Sequence, residues 1–379
     1  MKKKNPTQGS SQKNLQTQSQ PARQFELIKL GVDAHADSYK VVRQIENGPL
    51  QPAQGMSFKK FLLWAEKQRG LAKRVVVCYE AGTFGFHPAR CLKELGIECL
   101  VMVPIKLDEG NTRVTTDRLD ARRIAVRLDR YLCGDQEALN LVRIPSPAEE
   151  EQRDLGRQRQ ALLKDLKRYA DRGRAYLRRQ GLRVKGRWWQ GAQWQMLQGQ
   201  LSEGQQAYLQ PWREMITKAT EILDQVHARL IAQAEKHVQA RGIVLPAWLG
   251  LLSYELLRLE VCDWQRFHNR RQVASLTGLC ASESSSGQSR QRGAVTKHGN
   301  PVMRWVLLEM AWRMVRYQPG CHAVRKWQKE LAASRGNRSR RKKIIVAIAR
   351  QLAIDLWRVA TGQCTFEKLG FILPAGRPV

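Results

Sequence analysis

Residues 73–82 read KRVVVCYEAG, an apolar, β-branched run that closes on a carboxylate and a glycine. An unbroken apolar stretch of this length between charged ends is the pattern of a strand buried on both faces, inside a sheet covered by helices. Upstream, ELIKLGVDAHAD (26–37) and SYKVVRQIE (38–46) read as strands, a third short strand falls near 48–55, and FKKFLLWAEKQRG (58–70) has helical apolar spacing. Downstream, PARCLKELG (88–96) reads as a helix and IECLVMV (97–103) as a strand. After a turn at Pro104 and a loop holding Gly110 and Asn111, TTDRLDARRIAVRLDRYL (115–132) is helical, with Leu119, Ile124, Ala125 and Leu128 mainly on one face. This order of elements predicts one mixed-sheet α/β domain over residues 25–145.

The rest of the chain is built differently. Residues 1–24 are rich in Lys, Gln, Ser and Asn without apolar periodicity and read as a flexible arm. Residues 146–240 carry two long helical patterns and read as a basic helical hairpin or coiled coil, with thirteen Lys or Arg against three acids between 153 and 187. Trp188, Trp189 and Trp194, in the stretch between the two patterns, read as filling a small helical core, the alternative being stacking on unpaired bases. Residues 241–379 form a mostly helical third part, interrupted by ASESSSGQSRQRGAVTKHGN (281–300), after which Asn300 and Pro301 are a cap and first residue of a new helix. The fold class is therefore α/β plus α.

Sixty-five Lys and Arg against 34 Asp and Glu give 379 residues a formal net charge of +31, which implies a polyanionic partner, nucleic acid before any membrane surface. No apolar stretch reaches the roughly 18 residues of a membrane span, and MKKKNPTQGSSQ lacks the apolar run of a secretory signal, so a cytoplasmic protein without membrane contacts is expected. Eight cysteines with no CxxC and no paired Cys/His spacing support neither a zinc module nor a disulfide framework.

Two constellations carry chemistry. Asp33 and Glu80 end strands, and Asp117 and Asp120 lie three apart on one helix, so all four can meet at the strand ends. Hard oxygen donors from separate elements suit one or two Mg²⁺ ions, as in nucleases of the RNase H type. In the second constellation, Ser284, Ser285 and Ser286 precede Gly287 and the cations Arg290, Arg292, Lys297 and Arg304, a set suited to holding a phosphate. A serine needs help to attack, and no His stands at a triad spacing. Arg178 and Arg179 in the first long helix, and Arg340 and Lys342 in SRGNRSRRKK (334–343), are further candidates for nucleic-acid contact.

LGVDAHAD, CYEAG and TDRLDARRIA, followed by LTGLCASESSSGQSRQRGAVTKHGNPVMRW (276–305), resemble the insertion-sequence transposases of the IS one-ten family, and most its IS eleven-eleven branch. The resemblance implies an RNase H/RuvC-like domain whose Asp33, Glu80, Asp117 and Asp120 bind Mg²⁺, and a C-terminal transposase domain whose serine attacks DNA. Counting from Gly278, that serine is Ser286, with Ser285 and Ser284 adjacent. It further implies a bridge RNA that guides recombination between donor and target DNA, a homodimer or homotetramer with shared active sites, and a place beside the bacterial nucleoid. LPAWLGLL departs from the family's Pro-Gly-apolar-Gly hairpin at Ala247 and Trp248, and Cys280-Ala281 replaces the proline usual after GL. A water-dependent structure-specific endonuclease and a non-enzymatic nucleic-acid-binding protein are the alternatives.

Overall fold

A computed structural model describes residues 24–36, 38–104, 117–286 and 289–374, with the backbone alone for 117, 284–286 and 289–292. The arm expected at 1–24, except its last residue, and the loop holding Gly110 and Asn111 lie outside the described residues. The chain divides into two units, Met1–Pro145 and Ser146–Val379.

The first unit runs β1 (Phe25–Ala34), β2 (Tyr39–Ile45), β3 (Gln54–Met56), α1 (Phe58–Leu71), β4 (Ala72–Glu80), α2 (His87–Glu94), β5 (Glu98–Met102), α3 (Asp117–Leu132). Its sheet has the order β3-β2-β1-β4-β5. β2 is antiparallel to both β1 and β3, whereas β4 is parallel to both β1 and β5. The unbroken apolar text of β4 follows from burial on both faces: Val75, Val77 and Tyr79 pack with Phe61 and Ala65 of α1 and Leu92 of α2, while Val76 and Cys78 meet Ile124 and Leu128 of α3. The buried stripe of α3 is Ala121, Ile124, Ala125 and Leu128, at the spacing of one helix face. Leu119, read as part of that face, falls off the stripe and is 44% exposed.

Two features set α3 against the sheet. Gly31 of β1 lets the backbones touch: a Cβ there would lie 2.4 Å from the Ala125 nitrogen and 2.6 Å from the Ala121 oxygen. One end of the helix is tied by Lys29, a buried lysine that pairs with Asp129 and donates to the Glu46 carbonyl at 2.9 Å. Burying an ammonium is costly unless it is paired in this way.

The second unit opens with α4 (Pro147–Arg179), α5 (Gly191–Gln198) and α6 (Glu203–Ala240). Ser146 starts α4 with a capping box: its hydroxyl accepts from the Glu149 nitrogen, and the Glu149 carboxylate accepts from the Ser146 nitrogen. The contacts Arg159–His227, Tyr169–Trp212 and Tyr176–Tyr208 step in opposite directions along the two long helices, so α4 and α6 are antiparallel. Trp188 and Trp194 are buried between them, and the Trp188 Nε1 donates to the Ala170 carbonyl at 2.9 Å. Trp188 and Trp194 are core, as the sequence suggested, and Trp189 is partly buried against them.

The unit continues with α7 (Leu251–Val261), α8 (Arg270–Thr277), β6 (Ala281–Ser286), β7 (Ser289–Val295), α9 (Pro301–Tyr317), α10 (His322–Arg325), α11 (Gln328–Ala332) and α12 (Arg338–Ala360). Met303, Leu307 and Met310 of α9 and Ile348, Leu352 and Ala353 of α12 are wholly buried in one core, which Val226 and Leu230 of α6 also enter. The foot of the helical hairpin is thus part of the C-terminal core.

Candidate functional site

The carboxylates of the first unit are placed by strand register. β1 and β4 pair in parallel with Val32 opposite Tyr79, so Asp33 and Glu80 follow side by side at the strand ends. Val32 and Tyr79 point into the core under α1 and α2. Alternation along a strand then turns Asp33 and Glu80 to the opposite face, which α3 covers through Ala121 and Ala125. Asp120 immediately precedes that contact, and α3 begins at Asp117, so the helix start lies toward the same strand ends. Asp33 is nearly buried, its side chain 14% exposed, and its Oδ2 lies 3.1 Å from the Nε2 of His35. The Asp120 Oδ1 accepts from Arg123 Nη1 at 3.4 Å. The Asp117 side chain lies outside the described residues. Among the described residues, no three His, Cys, Asp or Glu side chains group closely enough to hold a metal ion. The donor chemistry does suit a hard divalent cation, since the acids brought to this end are oxygen donors set on rigid elements.

The serine stretch is a hairpin and not the loop its composition suggested. β6 and β7 are antiparallel, with Ser286 opposite Ser289, Ser285 opposite Arg290, Ser284 opposite Gln291 and Glu283 opposite Arg292. Ser286 is the last paired residue of β6, at the tip. The side chains of Ser284–Ser286, Arg290 and Arg292, and all of Gly287, lie outside the described residues.

The foot of this hairpin is a close backbone crossing. α8 ends at Gly278 in the left-handed region (φ 63°), and Gly299 has φ 151°. A Cβ on Gly299 would lie 2.6 Å from the Gly278 nitrogen, and one on Gly278 would lie 2.9 Å from the His298 oxygen. Arg304 Nη1 donates to the carbonyls of Thr277 (3.2 Å) and Lys297 (3.1 Å), so this candidate phosphate contact also staples the crossing. Lys297 is exposed beside it, with a positive φ of 57°. Asn300 caps α9 through its Oδ1, and its Nδ2 donates to the Glu260 Oε2 at 2.5 Å. Arg153 of α4 lies 3.9 Å from that carboxylate, a link that sequence reading missed because its members are far apart in the chain.

The other candidate cations are surface groups. Arg178 and Arg179 are exposed in the last turn of α4, with Arg179 over the Tyr176 ring at 5.6 Å. Arg340 and Lys342 are exposed near the start of α12. All eight cysteines are free, and burial pushes the Cys78 thiol up to about 12, as befits a packing residue.

Residues 248–325 match the family described as Transposase IS116/IS110/IS902. A putative transposase of Sinorhizobium fredii, y4rJ, is 29% identical over 315 residues, covering 77% of this chain and 78% of its own. The transposase of insertion sequence element IS1533 from Leptospira borgpetersenii is 24% identical over 302 residues, covering 76% and 85%. That of IS1111A from Coxiella burnetii is 26% identical over 149 residues, covering 39% and 40%. Over about three quarters of its length the chain is thus similar to insertion-sequence transposases, and within residues 248–325 to the IS116/IS110/IS902 family. Among the described residues, no helix is long and apolar enough to cross a membrane.

Proposed function

We propose that this protein is a DNA transposase that cuts and rejoins DNA through a covalent serine–DNA intermediate, with Asp33, Glu80, Asp117 and Asp120 as the ligands of Mg²⁺. The observation that carries the reading is the placement of Asp33 and Glu80 at adjacent strand ends, under the helix that begins with Asp117 and Asp120. The strand order, with one antiparallel hairpin at one side of a parallel core, supports an RNase H/RuvC-like fold for residues 25–145. Residues 146–240 then serve as the basic hairpin and 241–379 as the serine domain.

In the cutting step the Ser286 Oγ forms a bond to a DNA phosphorus, the phosphorus–oxygen bond to the leaving strand breaks, and the serine proton ends on that strand's new hydroxyl. Rejoining reverses these bonds with the hydroxyl of the second DNA, so the bond energy is retained and ATP is not needed. When bound, Mg²⁺ supplies positive charge beside the phosphate oxygens. Arg304 and Lys297 hold the foot of the hairpin and present cations to the DNA backbone. The net charge of +31 supports a second polyanion, the bridge RNA that pairs donor with target DNA, on a homodimer or homotetramer.

A covalent-trapping experiment tests the chemistry. Protein with its co-purified RNA, Mg²⁺ and labelled DNA spanning an element junction is expected to give a denaturation-resistant protein–DNA adduct. Ser286→Ala and Asp33→Ala should each abolish it. Cleaved DNA that persists in Ser286→Ala without any adduct would mean a hydrolytic endonuclease and sink the serine mechanism.

A further inference from the structure

Within the second unit a cavity of about 1370 Å³ opens between α8, α12, His322 of α10 and the foot of the serine hairpin. Its wall carries Arg270 and Arg271 from the start of α8, Lys342, Lys343, Arg350 and Arg358 from α12, and Lys326, with no carboxylate among the lining residues. Lys343, Arg350 and Arg358 are spaced seven and eight residues apart, about two helical turns each, and so form a row along one face of α12.

This placement runs against the stability of the protein alone. The N-terminal end of a helix is its positive end, yet α12 opens with Arg338, Arg340, Arg341, Lys342 and Lys343 and has no acid in its first turn. Among the described residues, none of the six cations on α8 and α12 is joined to a carboxylate, while Lys326 donates only to the neutral Gln351 at 2.8 Å. Like charges gathered around one concavity repel one another and draw in a polyanion.

The remaining lining says which polyanion. The volume exceeds the roughly 300–1,000 Å³ of small-molecule pockets, which suits a segment of polymer. Half-buried Trp327 gives the wall aromatic surface and Trp357, 7% exposed, adds an edge of its ring; an unpaired base can use such a surface and a paired duplex cannot. His322 is held by the fully buried Asp355, with Nδ1 2.9 Å from Oδ2, so its Nε2 is left for a ligand. Gln351 fixes the same carboxylate from the other side at 2.9 Å. Ala281 and Gly293 of the serine hairpin close the wall, so a strand lying here continues along the hairpin itself.

We propose that this cavity binds a single strand of the DNA substrate, its phosphates on the cation row of α12 and α8, its bases against Trp327 and Trp357, and a polar contact to His322. The proposal rests on the reading of the chain as an enzyme that cuts and rejoins DNA, and it is independent of which residue attacks.

Fluorescence anisotropy of the full-length protein with a labelled oligodeoxythymidylate of about ten nucleotides tests it, in salt from about 50 to 300 mM. Arg350→Gln/Arg358→Gln is expected to bind roughly fivefold more weakly and to lower the slope of log K against log salt by about 1.4, since each single-strand phosphate contact contributes about 0.7. His322→Gln should weaken binding with no change of slope. With 5-bromodeoxyuridine in the oligonucleotide, irradiation should cross-link peptides containing Trp327 or Trp357. Unchanged affinity and slope in the double variant would overturn the proposal, and so would tighter binding of an RNA or duplex of the same sequence with cross-links to the same peptides. Ser286→Ala should bind the oligonucleotide normally, so a failed adduct experiment and a failed cavity are separate results.

Discussion

Gly31 shows how much can hang on one missing side chain. β1 and α3 touch backbone to backbone at this residue, and a methyl group there meets main-chain atoms that cannot swing aside. Gly31→Ala should destabilise the first unit by about 1–3 kcal/mol, read from urea denaturation, because overpacking against rigid atoms displaces the whole helix. The same shift would carry Asp117 and Asp120 away from Asp33 and Glu80. The acids themselves were legible in the sequence, since a carboxylate that ends an apolar run is conspicuous and strand order brings two such ends together. The glycine's role was not, because nothing local says which helix crosses β1. Lys29 and Asp129 were hidden for the same reason, being 100 residues apart. Trp248 takes a left-handed φ of 70° and stacks on Tyr317 at 3.8 Å, so an aromatic contact offsets backbone strain there.

Among the elements, α4 and α6 announced themselves through apolar spacing, but the tie between them did not. Arg159 is buried, and its Nε donates to the Nε2 of His227 at 2.7 Å. A protonated imidazole cannot accept that bond, and burial together with the Arg159 charge holds His227 below the ordinary histidine range. Burial and the nearby Arg258 and Arg241 do the same to His237, farther along α6. In both cases the unfolded chain takes up the proton first. Their contribution to stability is therefore present above the unfolded value of about 6.5 and is lost as pH falls through that value toward the lower folded one. The urea midpoint should drop between about pH 7.5 and 5.5, and drop less in His227→Gln. β6 and β7 escaped sequence reading because Ser, Glu and Gln give no alternating apolar signal: the pairing there is carried by the backbone, and the anchoring by residues outside the strands.

At the scale of the molecule, the division at Pro145/Ser146 separates two cores that share none of their buried members. Calorimetry should resolve two unfolding transitions, with Gly31→Ala lowering one and leaving the other in place. The charge and the order of elements in the first unit were readable, because each is a property of many residues at once. The cation-lined cavity was not, as it gathers α8, α10 and α12 from text that reads separately as helix starts and basic runs. The crossing of Gly278 and Gly299 has a consequence in the currency of the gene. Every missense codon one base away from glycine encodes a residue with a Cβ, so no amino-acid replacement reached by one base is neutral at either position. A single missense base at either codon is therefore expected to disable the protein while leaving the rest of its reading frame intact.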